Sequence, residues 1–264
     1  MSNITVIIPV HKYDEEISNY LTTAIKSVQL QKNIDEIPEI IIVYPPEIEE
    51  KIKLHNIEDL KINFLKNNGI TDYQSQVNLG VKNTNTKYFS VLEFDDEYSI
   101  SYFKNIKEYT EAYPDIDIIL TLLIEVDGDN NGLKYTNEVV WAQQFIGENG
   151  EMGYLNQDTI KQYSDFKLSG AVIKKKEFNN VGEYKSNIKF SFMYEFLLRA
   201  LNSGLKIFSM PKIGYKHLAN REDSLSVSFL NSMSVNERKF WFETAQKEAN
   251  FITDRIIDTS LIIK

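Results

Sequence analysis

The chain contains no cysteine, which excludes disulfides and thiolate metal sites and removes the small cross-linked secreted scaffolds as a class. It also lacks both glycine-rich phosphate signatures, G-x-G-x-x-G and Walker A, so dinucleotide dehydrogenases and P-loop enzymes are disfavoured. There is no excess of positive charge: the formal net charge is −9, and non-specific attraction to a polyanion is not built into the whole surface. Nor is there a long apolar run. The first such run, Ile4 to Val10, has no charged leader before it and is too short for a signal peptide or a membrane span, so the expectation is a cytoplasmic protein without a transmembrane segment. What is present is enough hydrophobic residue, 42% of 264, to fill the core of one globular unit.

Ile4 to Val10 is continuous and β-branched, as expected of a strand buried on both faces of a parallel sheet. Ile17, Tyr20, Leu21, Ala24, Ile25 and Val28 then recur at helical spacing and predict an amphipathic helix from Glu15 to Gln31. The alternation continues with a strand at Glu39 to Tyr44, a helix at Glu47 to His55, a strand at Lys61 to Leu65, a helix at Asp72 to Lys82 and a strand at Tyr88 to Glu93. Beyond it the pattern predicts a helix at Ile100 to Ala112, a strand at Ile116 to Val126, and a turn at Asp127 to Gly132. From Leu133 to Leu168 the chain is irregular and aromatic (Tyr135, Trp141, Phe145, Tyr154, Tyr163), which reads as a substrate-facing loop region. A strand at Ser169 to Ile173, helices at Lys175 to Val181 and Ser191 to Ser203, a short strand at Leu205 to Met210 and a helix from Asn236 to about Ile257 complete the prediction.

In an open α/β sheet, ligands bind outside the carboxyl ends of the strands. That rule places Pro9, Val10, His11 and Tyr13, then Tyr44, then Asn67-Asn68-Gly69, then Glu93-Phe94-Asp95-Asp96 along one rim. Apolar and aromatic groups beside hydrogen-bonding groups suit a base and ribose, and hard carboxylate oxygens suit Mg²⁺ or Mn²⁺ holding a diphosphate.

At this point the chain resembles a family 2 glycosyltransferase of the GT-A fold, a Rossmann-like α/β fold with a mostly parallel central sheet. Ile4 to Tyr13 stands for the family's V-S-V-I-I-P-x-Y-N opening, and Leu21 to Gln31 for its L-x-x-A-I-x-S-V-x-x-Q helix. Asn67-Asn68-Gly69, Gln76-Val77-Asn78-Leu79-Gly80 and Leu92-Glu93-Phe94-Asp95-Asp96 follow in the order of N-x-G, A-R-N-x-G and L-D-A-D-D. The segment from Gly170 to Gly182 resembles the strand and helix before the acceptor site. The F-D-D-E-Y-S wording, with Thr136-Asn137-Glu138 and Tyr215-Lys216-His217, is also similar to bacteriophage-carried members. The resemblance implies one GT-A domain, with a nucleotide-sugar-binding half (1–126), an acceptor-side half (127–235) and a C-terminal helix (236–264).

It further implies an inverting, metal-dependent transfer from a nucleotide-diphosphate sugar to a hydroxyl of a glycan or another acceptor. Asp95 stands at the metal-binding acid and Glu93 at the acid that contacts ribose or metal. His217 is a third candidate ligand, and Asp96 flanks the motif. The donor nucleotide would be held by Pro9, Val10, His11, Tyr13, Tyr44, Asn68, Asn78, Glu93, Phe94 and Arg221, a guanidinium being well suited to phosphate. The chain departs from the family at Tyr44, where an Asp often pairs with uracil, and at Val77, which replaces an Arg. By alignment the catalytic base position is Met193. Glu195, two residues on, is the acid of this helix that can serve as general base, while its i, i+4 spacing from Arg199 also fits a salt-bridged pair.

Three alternatives stay open. A nucleotidyltransferase has a similar sheet, but its Gly-rich basic loop is not seen at Pro9-Val10-His11. A catalytically degenerate nucleotide-sugar-binding module fits the departures at Tyr44, Val77 and Met193. A nucleic-acid acceptor would need a local basic groove, for which Lys174, Lys175, Lys176, Lys185 and Lys189 are candidates, although lysine runs also form solvated faces.

Overall fold

The computed structural model describes residues 3–57, 59–138, 153–219, 221 and 224–248. Strand β1 (Ile4–Pro9) is buried at every position. Helix α1 (Glu15–Gln29) starts where the Asp14 carboxylate accepts the Ile17 amide at 2.8 Å, a side-chain cap for an otherwise unsatisfied donor. It buries Ile17, Leu21, Ala24, Ile25 and Val28. Strand β2 (Glu39–Tyr44) leads into a broken helical segment in which α2 (Glu49–Ile52) lies between 3-10 turns at Pro46–Ile48 and Lys53–His55, where a single helix is predicted. Strand β3 (Ile62–Lys66) and helix α3 (Tyr73–Lys82) follow, with Asp72 capping the Ser75 amide at 2.8 Å.

Strand β4 (Tyr88–Val91) is followed by the two-residue β5 (Glu97–Tyr98) and helix α4 (Tyr102–Ala112). Next come β6 (Ile118–Val126), β7 (Gly132–Thr136), α5 (Gln157–Gln162), β8 (Val172–Lys174), α6 (Lys175–Asn180) and α7 (Phe192–Asn202). The described chain ends with β9 (Ile207–Leu218), α8 (Leu225–Ser232) and α9 (Val235–Glu248). Among the described residues, no helix is long and apolar enough to cross a membrane.

Among the described residues, all nine strands share one mixed sheet in the order β3-β2-β1-β4-β8-β6-β9-β5, with β7 paired to β6. Strands β3, β2, β1 and β4 are parallel, and β8 runs antiparallel between β4 and β6. Alternate residues of each parallel strand enter two cores. Val6, Ile8, Ile40 and Ile42 pack with α1 and α4 residues on one face, while Ile7, Ile41 and Val43 pack with α3, α6 and α7 residues on the other. The sheet is thus covered by helices on both faces, which is why its strands read as unbroken apolar runs.

Helix α3 lies against the sheet at Gly80, where a Cβ would sit 2.6 Å from Ile7 Cγ2 and 3.3 Å from Val43 Cγ2. Gly80→Ala should therefore overpack this contact and destabilise the fold by about 1–3 kcal/mol, seen as a lower denaturation midpoint.

The principal departures from the sequence reading lie beyond β4. The expected strand Leu205 to Met210 is the first half of β9, a 12-residue strand. Its register against β6 shifts so that Met210 faces Thr121 and Ile213 faces Leu122; Pro211 sits in this irregularity, a bulge being one of the few places a sheet accepts proline. Tyr215, Lys216 and His217 consequently belong to a strand and not to a loop. Strand β7 forms within the segment expected to be irregular, and α8 has no counterpart in the prediction. Of the expected aromatic loop, Trp141 and Phe145 lie outside the described residues, as does the stretch after Glu248 of the expected terminal helix, Phe251 and Ile252 included. Tyr154 packs its ring 5.2 Å from Phe208.

Three of the five lysines considered for a basic groove are committed internally. Lys174 Nζ reaches Asp117 at 2.8 Å, Lys175 Nζ donates to the Thr84 carbonyl at 2.5 Å, and Lys185 is buried beside Glu195 at 3.3 Å.

Candidate functional site

The acidic stretch leaves β4 at the carboxyl rim. The Leu92 amide still donates to Ile7 O at 2.9 Å, and the chain then turns, with the Asp96 amide donating to Glu93 O at 3.1 Å. It re-enters the sheet as β5, where Glu97 and Tyr98 pair with Lys216 and Tyr215 of β9. The three acids are thus held in a turn clamped at both ends by strands, the kind of rigid support a metal or phosphate site needs. Behind the turn, the Glu93 amide donates to Tyr215 Oη at 3.0 Å and Ser169 Oγ donates to Glu93 Oε1 at 2.6 Å. Gly170 adopts φ +66°, and a Cβ there would collide with the Tyr215 ring, so glycine meets both a backbone and a packing requirement.

Asp96 is 1% exposed. Its carboxylate accepts the Leu218 amide at 2.9 Å and lies 3.0 Å from His217 Nδ1. The ligand atoms of Glu93, Asp96 and His217 all lie within 4.8 Å of one another. Burial raises the carboxyl pKa of Glu93, and the charge of Asp96 raises it further; burial also raises Asp96, with His217 opposing. Burial alone would lower His217, but the Asp96 carboxylate and its hydrogen bond outweigh this and raise the imidazole to about 9. Without a cation the Asp96 charge thus favours a proton on the imidazole, and a divalent ion bound by His217 would have to displace that proton.

Asp95 is placed differently. Its Oδ2 lies 3.1 Å from Arg221 Nη2, and the guanidinium sits 5.1 Å from the Phe94 ring centroid and 5.5 Å from that of Tyr20. Burial, assisted by the charge of Glu93 and opposed by Arg221, pushes the Asp95 carboxyl up to about 6. The sequence reading makes Asp95 the principal metal ligand and Asp96 a flank. The side chains meet otherwise: Asp96 joins Glu93 and His217, and Asp95 holds Arg221 between two aromatic rings.

The remaining rim residues divide into two groups. His11 faces Phe94 with ring centroids 5.7 Å apart. The Tyr13 hydroxyl donates to Ser18 Oγ at 2.9 Å and lies 2.7 Å from His55 Nε2; His55 escapes a sequence search because a lone histidine carries no spacing signal. Pro9 and Val10 are buried, and the Val10 amide donates to Val43 O at 2.8 Å. The Tyr44 side chain is buried in the core, Asn67 closes the turn after β3 by accepting the Gly69 and Ile70 amides, and Asn68 is exposed. Asn78 is used as a brace, donating to Tyr184 O at 2.8 Å and accepting the Tyr184 amide at 3.1 Å. Val77 is fully buried against the sheet.

Glu195 belongs to a buried ion cluster on α7. It is 0% exposed, and Arg199 donates to both its oxygens, from Nε at 2.7 Å and from Nη2 at 3.0 Å. Lys185 Nζ is 3.3 Å away, while Arg199 also binds the carbonyls of Val181 and Glu183. The i, i+4 salt-bridged pair, one of the two readings open for Glu195, is thus present, with both carboxylate oxygens engaged by cations out of contact with solvent.

The mixed sheet covered by helices on both faces matches the GT-A-like fold of the chain's structural neighbours. The chain superimposes over its whole length on S. aureus TarS 1–349 in complex with UDP-GlcNAc, with a TM-score of 0.66, 13% identity and 76% of that chain covered. Against the longer TarS chain it covers 46%, with a TM-score of 0.61 and 14% identity, so it spans less than half of that protein. A second neighbour is the mannosyltransferase PcManGT from Pyrobaculum calidifontis in complex with GDP-Man and Mn²⁺, with a TM-score of 0.64 and 9% identity over 95% of this chain and 69% of that one. No family model matches the sequence, and no curated protein sequence does.

Proposed function

We propose that the chain is a glycosyltransferase that moves a sugar from a nucleoside-diphosphate sugar to an acceptor hydroxyl, with a divalent cation held by Glu93, Asp96 and His217. The observation that carries this reading is the convergence of those three ligand atoms within 4.8 Å at the rim of a fold whose neighbours hold UDP-GlcNAc, or GDP-Man with Mn²⁺. The donor set fits such an ion: two carboxylates and an imidazole suit Mn²⁺, and carboxylates suit Mg²⁺. When bound, the ion would offset the charge of the leaving diphosphate. Arg221, paired with Asp95 and held over Phe94 and Tyr20, is a guanidinium at this rim of the kind that suits a phosphate oxygen, and His11, packed against Phe94, is the ring nearest the rim for a nucleoside.

Inversion is the stereochemical outcome that the family resemblance implies. The acceptor oxygen bonds to the anomeric carbon opposite the diphosphate, which departs with the bonding electron pair as the acceptor loses its proton. The proton passes to a base: Glu195, which the sequence reading places in that role and which here is engaged by Arg199 and Lys185, or else solvent. The same observation favours a second reading, a module that binds a nucleotide-sugar without turning it over.

Donor binding is the direct test. At a donor concentration near 100 Kd the protein should gain about 2.7 kcal/mol, a rise in Tm of about 5–10 °C for a domain of this size, with UDP-GlcNAc or GDP-Man and only when Mn²⁺ is added. Release of UDP or GDP in the presence of an acceptor separates the enzyme from the binding module, and no stabilisation by any nucleotide-sugar would refute both.

A further inference from the structure

Each acid of the turn has its own anchor. Asp95 is paired with Arg221 at 3.1 Å and Asp96 accepts the Leu218 amide at 2.9 Å, both partners coming from the end of β9 or just beyond it. Glu93 is anchored from elsewhere: its Oε1 accepts Ser169 Oγ at 2.6 Å, across 76 positions of the chain. Ser169 is 3% exposed, so its hydroxyl is held out of water with this carboxylate as its acceptor, a short, charge-assisted bond. Glutamate brings one more side-chain torsion than aspartate, and a carboxylate on a longer arm has more conformations to lose when it takes a ligand. The serine removes that freedom in advance, which is what preorganisation of a site requires.

The serine is itself pinned. The Gly170 amide donates to Val91 O at 3.2 Å, two residues before Glu93 in the chain, and Tyr102 Oη donates to Gly170 O at 2.7 Å. On the other side, Asn137 Oδ1 accepts the Lys167 amide at 2.9 Å, and Asn137 Nδ2 donates to Lys167 O and to Thr121 O of β6, both at 3.0 Å. Tyr215 ties the two parts together: its hydroxyl accepts the Glu93 amide at 3.0 Å and its ring lies against Gly170, while on β9 it stands two residues before His217. We propose that Ser169 is a positioning residue for the divalent cation: by holding the Glu93 side chain in the free protein, it presets that carboxylate for the site shared with Asp96 and His217. The inference rests on the glycosyltransferase reading, and it gives a residue of the half expected to face the acceptor a part in the ion site.

Electron paramagnetic resonance of Mn²⁺ titrated with the full chain, first alone and then with UDP or GDP, measures the free ion and so gives its affinity without any turnover. Ser169→Ala should weaken Mn²⁺ binding by about 10- to 100-fold, the usual effect of removing an outer-shell partner of a metal ligand. Ser169→Thr keeps a hydroxyl and should stay within about threefold of the wild type, because the outer-shell bond is retained. Far-UV circular dichroism of both variants without metal should overlay that of the wild type, so that the change reads the ion site and not unfolding. A Ser169→Ala that binds Mn²⁺ as tightly as the wild type, or a Ser169→Thr that keeps the wild-type spectrum and loses as much affinity as Ser169→Ala, would overturn the positioning role alone. A wild-type chain that takes up no Mn²⁺ under either condition would instead refute the ion site at Glu93, Asp96 and His217, and the positioning role with it.

Discussion

Glu195→Gln is expected to lower the unfolding free energy by roughly 3–5 kcal/mol, the usual consequence of removing one partner from a buried ion pair. The reason is the asymmetry of the cluster. Glu195 is the carboxylate shared by Arg199 and Lys185, all three at 1% exposure or less, so the neutral amide would leave two cations without their counter-charge in a desolvated site. Because native stabilities are only about 5–15 kcal/mol, a loss of this size is a large part of the total. Urea denaturation of the two proteins gives the number. Replacing all three residues together by apolar side chains of similar volume should recover much of the loss, since a buried ion cluster contributes little net stability over good packing. Should Glu195→Gln instead keep its denaturation midpoint and lose turnover, the carboxylate would be catalytic and the structural account wrong.

The second large effect concerns the ion. His217→Ala should weaken Mn²⁺ binding by about 100-fold or more, since even outer-shell partners of a metal are worth about 10–100-fold. Asp95→Asn should weaken it by less than about threefold, because Asp95 is occupied by Arg221 at 3.1 Å. Calorimetric titration of Mn²⁺ into the nucleotide-bound protein separates the two. His217 is the better probe than Asp96, because Asp96 also accepts the Leu218 amide and its loss would disturb β9. A variant Asp95→Asn that cannot bind Mn²⁺, beside a His217→Ala that can, would return the metal to the E-F-D arrangement read from the sequence.

Much of the first half of the fold was legible along the chain because it is built of local signals. The strands β1, β2 and β4 are mostly apolar, and α1 shows a five-residue buried stripe at helical spacing. Local signals failed where pairing is non-local. Strand β5 is two residues long and exists because β9 is beside it; β9 carries a proline that ends any local strand prediction, yet it continues because its bulge against β6 absorbs the irregularity. His217 was read from the sequence as a candidate ligand beside Asp95, whereas the side chain it meets is that of Asp96. Only when β9 is a strand does His217 lie beside the buried Asp96 and leave Asp95 to Arg221.

What the sequence alone determined, then, is the β/α alternation and the presence of an acidic turn at the end of the fourth strand, since apolar periodicity depends on residues a few positions apart. Tertiary structure decided which acid stands with which base. Glu93, Asp95 and Asp96 are neighbours in the chain, and their separation into an Asp95–Arg221 pair and a Glu93–Asp96–His217 cluster is imposed by residues more than 100 positions away. The same holds at Glu195, where spacing offered both a base and a salt bridge. Burial with Arg199 and Lys185 selected the second, because an ionised carboxylate removed from water must be paired where it stands.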